Sequence, residues 1–271
     1  MSTQTILITG GTGFLGSALT YQLLQDQCRV AILSRSAEKV FRTFGSQVQA
    51  YTRIQELPDA GQFRAVVNLA GAGIFDSRWS EARKQLLRDS RIELTERLVA
   101  WIKASSGQPN ALISGSAIGF YGDQGDTILR EQSQPKSDFA HQLCADWEAA
   151  ALAAESADVR VCLIRTGLVL GKGGGILRRM LLPFRLGLGG QLGNGRQWMS
   201  WVHVDDWVAI VRAMIDNQDM RGAYNATAPI PVSNREFSAT LAHLLKRPML
   251  LPLPESMLNL ILGEMAALIL G

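Results

Sequence analysis

The sequence predicts an α/β fold, a doubly wound parallel sheet with a small C-terminal lobe, and three observations carry that prediction. Short apolar runs rich in β-branched residues alternate with longer stretches of helical periodicity, the pattern of repeated βαβ units. A glycine run, Gly10 to Gly16, lies directly between the first strand and the first helix. After Gly167 the texture changes to glycine-rich, irregular chain, Gly171-Lys172-Gly173-Gly174-Gly175 and Gly187-Leu188-Gly189-Gly190.

The predicted strands, in order, are Thr5–Thr9, Arg29–Leu33, Ala65–Leu69, Ala111–Ser114 and Val159–Arg165, each a short apolar run bounded by polar or turn residues. Ser17–Gln25 continues from the glycine run as a helix. Ser80–Ala104 reads as one long helix with Leu87, Leu94, Leu98 and Ile102 on one stripe, and a further helix begins near Ser137 or Asp138. Ile176–Leu186 is an apolar, basic helix between the two glycine clusters. Residues 1–166 therefore form the sheet domain, and 167–271 the lobe, interleaved with the sheet core because no linker separates them.

The 271 residues are enough to bury one large core, and 47% hydrophobic with 19% charged residues is ordinary for a folded chain. The net charge of +3 comes from scattered basic residues. Arg178, Arg179 and Arg185 are the nearest thing to a patch, too small for a nucleic-acid groove, so no nucleic-acid partner is expected. Cys28, Cys144 and Cys162 lack metal-ligand spacing or a disulfide framework, so no metal site is expected and a reducing compartment fits. The chain enters a strand at Thr5, leaving no room for a secretory leader, and the apolar stretch Met257–Gly271 contains Glu264 and is shorter than the roughly 20 residues of a membrane span. A cytoplasmic protein without membrane partners is expected.

Gly11-Thr12-Gly13-Phe14-Leu15-Gly16 matches G-x-G-x-x-G, and Gly10, Gly13 and Gly16 fit the G-x-x-G-x-x-G spacing. Glycines there allow a tight strand-to-helix turn, close approach of a pyrophosphate to the backbone, and close packing of helix on strand. Unpaired N–H groups at the helix N-terminus then face the phosphates. The alternative is a plain turn without nucleotide. About 20 residues further on, an acid would hold the ribose of NAD. Here the second strand ends in Ser34-Arg35-Ser36. Arginine at that place pairs with a 2′-phosphate, which favours NADP(H) over NAD(H), unless Arg35 is only a surface charge.

Gly10–Gly16, Asn68-Leu69-Ala70-Gly71 and Ser114-Gly115-Ser116 leading to Tyr121-Gly122 resemble the extended short-chain dehydrogenase/reductases. Arg78-Trp79, Arg165-Thr166-Gly167, Gln197 through Asp206, Tyr224 through Pro229 and Gly263-Glu264-Met265-Ala266 are similar to the atypical epimerase-family proteins of the YfcH type. The resemblance spans the chain. It implies a Rossmann fold with a substrate lobe, a bound nicotinamide dinucleotide passing Leu69, Ala70 and Gly71, a small-molecule substrate, and a final segment continuing past Gly271. Relatives often dimerise through helices corresponding to Ser80–Ala104 and Ser137–Glu155, so a homodimer is one expectation; apolar faces satisfied by the core are the other.

In active short-chain reductases a serine orients the substrate carbonyl, a tyrosine exchanges the proton, and a lysine lowers the tyrosine's pKa and holds the nicotinamide ribose. The resemblance places Ser116 at the serine. Aligning Trp147-Glu148 with the glutamate of the helix puts Ala140 at the tyrosine and Cys144 at the lysine. Alanine exchanges no proton, and a neutral thiol supplies no fixed positive charge. Tyr121 either substitutes or walls the pocket.

Trp198, Trp201 and His203 are candidate pocket residues, two aromatic faces for a flat or sugar-like ligand and a titratable ring. His203 and Asp205 read equally as a brace at a helix start. Arg78 and Trp79 follow the nicotinamide loop, and Arg78 is placed to clamp an anionic group with Lys84 or Arg91 assisting, against a solvated helix face. Arg165, Arg178 and Arg179 are phosphate contacts if the ligand is a nucleotide sugar, and surface charge otherwise. Two functional readings follow. One is an NADP-dependent oxidoreductase or nucleotide-sugar epimerase-like enzyme, supported by Ser116, Arg78-Trp79 and the aromatic residues. The other is a non-catalytic NADP(H)-binding sensor or scaffold, supported by Ala140 and Cys144.

Overall fold

A computed structural model describes residues 5–249 and 252–270. The chain begins β1 (Thr5–Thr9), α1 (Phe14–Gln25), β2 (Val30–Leu33), α2 (Ala37–Phe44), β3 (Val48–Tyr51), β4 (Phe63–Asn68), α3 (Glu81–Asp89), α4 (Ile92–Ala104), β5 (Ala111–Ala117), α5 (Phe139–Leu152) and β6 (Arg160–Thr166). It continues through β7 (Leu168–Leu170), α6 (Gly175–Arg185), β8 (Trp198–Met199), β9 (Trp201–His203), α7 (Val204–Asp216), β10 (Gly222–Ala226), β11 (Val232–Ser233) and α8 (Asn234–Leu244), ending in α9 (Glu255–Leu262) and α10 (Met265–Leu270).

Seven strands form one parallel sheet in the order β10-β6-β5-β4-β1-β2-β3. The direction of winding reverses between β1 and β4. That switch point is where open α/β sheets leave a crevice at the carboxyl ends of the strands. One face packs Leu19 and Leu23 of α1, Phe44 of α2 and Trp207, Val211 and Met214 of α7. The other packs Leu98 and Ile102 of α4 and Ala151 of α5. Central strands are buried on both faces, which is why β1, β4 and β5 read as nearly continuous apolar runs.

The doubly wound sheet predicted from the sequence is present, with three differences. The expected helix over Ser80–Ala104 is two helices, broken at Ser90 and Arg91. There the Ser90 hydroxyl donates to the Leu87 carbonyl and accepts the amide of Ala72, so a tertiary contact ends α3. Strands β3 and β10 had no sequence signal; β10 is Gly-Ala-Tyr-Asn-Ala and owes its conformation to in-register pairing with β6. Finally, α7 and β10, both beyond residue 167, complete the sheet layers. Apart from them, α6 and α8 pack on each other through Phe184, Leu241 and Ala242. The apolar C-terminal stretch forms α9 and α10, although Gly271 lies outside the described residues.

Candidate functional site

The glycine turn opens the site. Gly10 has φ +70°, and a Cβ there would meet the Leu69 and Ala70 backbone at 2.9 Å, so only glycine lets β1 turn this close to the β4 loop. A Cβ on Gly16 would strike the Gly10 carbonyl. Gly13 caps α1 with no side-chain bond, and no acid stands in the first turn, leaving the helix's first N–H groups and its positive dipole end free for an anion. Thr9 ties the far wall: its hydroxyl donates to Asn68 at 2.8 Å and accepts the amides of Leu69 and Ala70 at 3.1 Å.

A cleft of about 760 Å³ opens over this turn, with Thr12, Gly13 and Phe14 on one side and Lys172, Arg178 and Arg179 on the other. Arg179 pairs with Asp76 at 3.0 Å. At the end of β2, Ser34 is anchored by its amide to Tyr51, while Arg35 is exposed and makes no ion pair among the described residues. These donors, a backbone cradle with Lys172, Arg178 and Arg35, which make no ion pair among the described residues, fit a phosphate-rich dinucleotide.

At the carboxyl end of β5 a buried polar network replaces an open catalytic serine. Ser116 donates to Glu148 Oε1 at 2.6 Å. Glu148 accepts from Arg165 Nε and Nη2, each at 2.8 Å, with both side chains only 6% exposed. Arg165 also donates to the Tyr121 oxygen at 3.0 Å and to the Glu131 carbonyl at 2.9 Å, and lies 3.4 Å over the Phe120 ring. Tyr121 in turn donates to Asn225 at 2.6 Å. Burial opposes the charge on Arg165, but the bonds to Glu148 and Tyr121 outweigh it and raise its pKa. Arg165 is therefore neither a phosphate contact nor a surface charge, the two roles its sequence position suggested. Strand register explains the assembly, since Ser116 lies opposite Arg165 and Arg165 opposite Asn225.

Ala140 and Cys144 are buried on the α5 face beside this network. Burial pushes the Cys144 thiol up to about 11, so it is neutral near pH 7. Trp147, one helical turn on, packs on Gly115 and donates to Thr95 at 3.0 Å.

A second cleft of about 390 Å³ is bounded by Tyr121, Asn225, Asp126, Arg196 and Trp198. Of the five pocket residues expected from sequence, only Trp198 lines it; the half-exposed indole donates to Asp126 at 2.8 Å. Arg78 instead donates to the carbonyls of Leu260 and Ile261 on α9, pinning the loop after β4 to the C-terminal helices. Trp79 bonds the Ile74 carbonyl and stands edge-on to Phe139, 4.9 Å between centroids. Trp201 is partly buried in β9. His203 caps α7, accepting the Asp205 amide at 3.3 Å.

Arg91, read from sequence as an assisting cation or a solvated helix face, is partly buried at the break between α3 and α4, its guanidinium against Gly71 and 5.4 Å from the Trp147 ring. Lys84 pairs with Glu81 and Glu264. Sequence reasoning missed Glu148 as the centre of the network and Asn225 and Asp126 as wall residues; the Trp147-Glu148 pair was the one available signal.

Among the described residues no cluster of metal-ligating side chains occurs, and no helix is long and apolar enough to cross a membrane. Residues 6–227 match the model of the NAD dependent epimerase/dehydratase family. The epimerase family protein SDR39U1 homolog, chloroplastic, of Arabidopsis thaliana is 38% identical, the match covering 99% of this chain and 79% of that protein. Epimerase family protein YfhF of Bacillus subtilis is also 38% identical, over 97% of this chain and 87% of its own. The crystal structure of human epimerase family protein SDR39U1 (isoform 2) with NADPH superimposes with a TM-score of 0.87 at 32% identity, covering 98% of this chain and 88% of that one.

Proposed function

The chain belongs to the NAD dependent epimerase/dehydratase family, and from that premise we propose that it binds NADP(H) in preference to NAD(H). The pyrophosphate lies on the α1 N-terminus, with Lys172 and Arg178 across the cleft. The 2′-phosphate pairs with Arg35, and the nicotinamide half runs past Leu69, Ala70 and Gly71 toward the end of β5. The observation that carries this reading is Arg35 itself, an exposed guanidinium without an ion pair among the described residues, where an NAD-binding chain would hold an acid. The NADPH in the human relative's crystal structure supports it.

When bound, the nicotinamide supplies hydride transfer. The chain's own contribution is binding and orientation, with a small polar substrate in the cleft bounded by Tyr121, Asn225 and Trp198. Ser116 and Tyr121 are both engaged, Ser116 with Glu148 and Tyr121 with Asn225 and Arg165, so an oxidoreductase or epimerase-like reaction there draws on Tyr121, which borders the cleft, only if its hydroxyl exchanges Asn225 for the substrate. A second reading, an NADP(H)-binding protein without turnover, is favoured by one observation: the α5 positions aligned with the tyrosine and lysine hold Ala140 and a neutral Cys144.

Titration of NADPH and NADH into wild type and Arg35→Ala tests the cofactor assignment. Loss of the charge-assisted bond to the 2′-phosphate should weaken NADPH about tenfold or more and NADH less than about twofold. Equal losses for the two cofactors would remove the argument. Absorbance at 340 nm across carbonyl compounds and nucleotide sugars separates turnover from binding alone.

A further inference from the structure

Three arginines near the site have carboxylate partners. Arg165 has Glu148, Arg88 has Asp146 at 2.6 Å, and Arg179 has Asp76. Arg91 has none among the described residues. Its Nη1 donates to the Leu87 carbonyl at 3.1 Å and its Nη2 to the Ala72 carbonyl at 3.0 Å. Above it lies the backbone of Gly71, where a Cβ would come 2.9 Å from the guanidinium carbon; beside it are the Trp147 ring and Cys144. Burial lowers its pKa, and the nearby Arg83 charge acts in the same direction. A guanidinium still stays charged under such conditions. Carbonyls answer it only in part, so the fold holds a partly buried cation at a cost that no anion among the described residues offsets.

Position gives that cation a use. Arg91 sits beneath the loop that leaves β4, at the carboxyl edge of the sheet, one residue from the Leu69–Ala70 backbone that abuts the glycine turn. A dinucleotide whose pyrophosphate lies on α1 must carry its second nucleoside over this loop. On the α5 side of the same spot stands a thiol without charge. We propose that Arg91 is the fixed positive charge of the nicotinamide half-site, donating to the oxygens of the nicotinamide-side ribose and doing from the α3–α4 break what α5 does not.

The assignment rests on the NADP(H) reading, and its test separates the two. NADPH and adenosine 2′,5′-bisphosphate, which shares the adenosine end and lacks the nicotinamide ribose, are titrated into wild type, Arg91→Met and Arg91→Lys. Removing a charged donor should weaken NADPH about tenfold in Arg91→Met while leaving the bisphosphate within about twofold, and Arg91→Lys should recover part of the loss. The ratio of the two affinities is read on one preparation, so a general loosening of the fold moves both together. Should Arg91→Met fail to fold, the ratio in Arg91→Lys decides. Parallel losses, or none, in a chain that binds both probes overturn the Arg91 assignment alone. A wild-type chain that binds neither overturns the cofactor reading and this assignment with it.

Discussion

Glu148→Gln is expected to cost about 3 kcal/mol of stability, and the figure follows from the burial of the network. Its two oxygens accept from Arg165 Nε and Nη2 at 2.8 Å and from the Ser116 hydroxyl at 2.6 Å. Removing one partner of such a pair leaves an uncompensated buried charge, worth about 3–5 kcal/mol. Glutamine keeps one acceptor oxygen, which places it at the lower end. Arg165→Met strands the carboxylate and deprives Tyr121 of a donor, so it belongs at the upper end. The double variant Glu148→Leu/Arg165→Met removes both charges, and apolar replacements of a buried pair are often close to neutral. What remains is a lost partner for Ser116 and another for Tyr121, about 1 kcal/mol each. The double variant should thus cost about 2–3 kcal/mol, well below the about 8 kcal/mol that the Glu148→Gln and Arg165→Met singles cost together. Urea unfolding followed by tryptophan fluorescence gives all four free energies. Additive singles of less than about 1 kcal/mol would mean that Arg165 is solvated and unpaired in solution, and would return it to the phosphate-binding role suggested by its sequence position.

Two further changes test the frame of the site. Gly16→Ala drives a methyl into the Gly10 carbonyl and 2.8 Å from the Gly11 Cα, backbone that yields only by opening the turn. NADPH binding should fall below detection with a loss of about 1–3 kcal/mol, checked by titration and thermal melting, and wild-type affinity would contradict the pyrophosphate placement. Asp59 gives the chain an acid limb: bonds from the Ser106 hydroxyl and from the amides of Gly61, Ser106 and Gly107 hold its carboxyl at about 2. Its folded pKa lies below the unfolded value of about 3.9, so its contribution is complete above about pH 4 and disappears as pH falls toward 2. Asp59→Asn should flatten the stability profile in that window and leave the profile's shape above pH 5 unchanged, as measured by urea midpoints at stepped pH.

How far the sequence could be read depends on how local each signal is. The glycine turn is legible because its requirements fall within seven residues: Gly10 for positive φ, Gly13 and Gly16 for close approach. The central strands are legible because burial on both faces leaves an apolar run. By contrast, β10 acquires its conformation from β6, and nothing in Gly-Ala-Tyr-Asn-Ala announces a partner. The break at Ser90 was hidden because the apolar stripe from Leu87 through Leu94 to Ile102 runs across it, and the amide that ends α3 comes from Ala72.

The arginines show why the chemistry of the site was harder to read than its frame. In sequence Arg91 and Arg165 are equivalent, each a guanidinium open to a ligand role or a solvated one. Folding separates them through what arrives from other elements. The register of β5 on β6 and the pitch of α5 bring Glu148 to Arg165, closing it inside the protein. The same helix presents Cys144 to Arg91, a neutral group where Glu148 is an anion, and so leaves that charge, among the described residues, with carbonyl partners but no carboxylate. A cation already neutralised has little electrostatic gain to offer a ligand, whereas one met only by carbonyls at the sheet's carboxyl edge retains more of it. The distinction between brace and binding residue therefore lies in α5, whose two positions four residues apart give one arginine a carboxylate and the other a thiol.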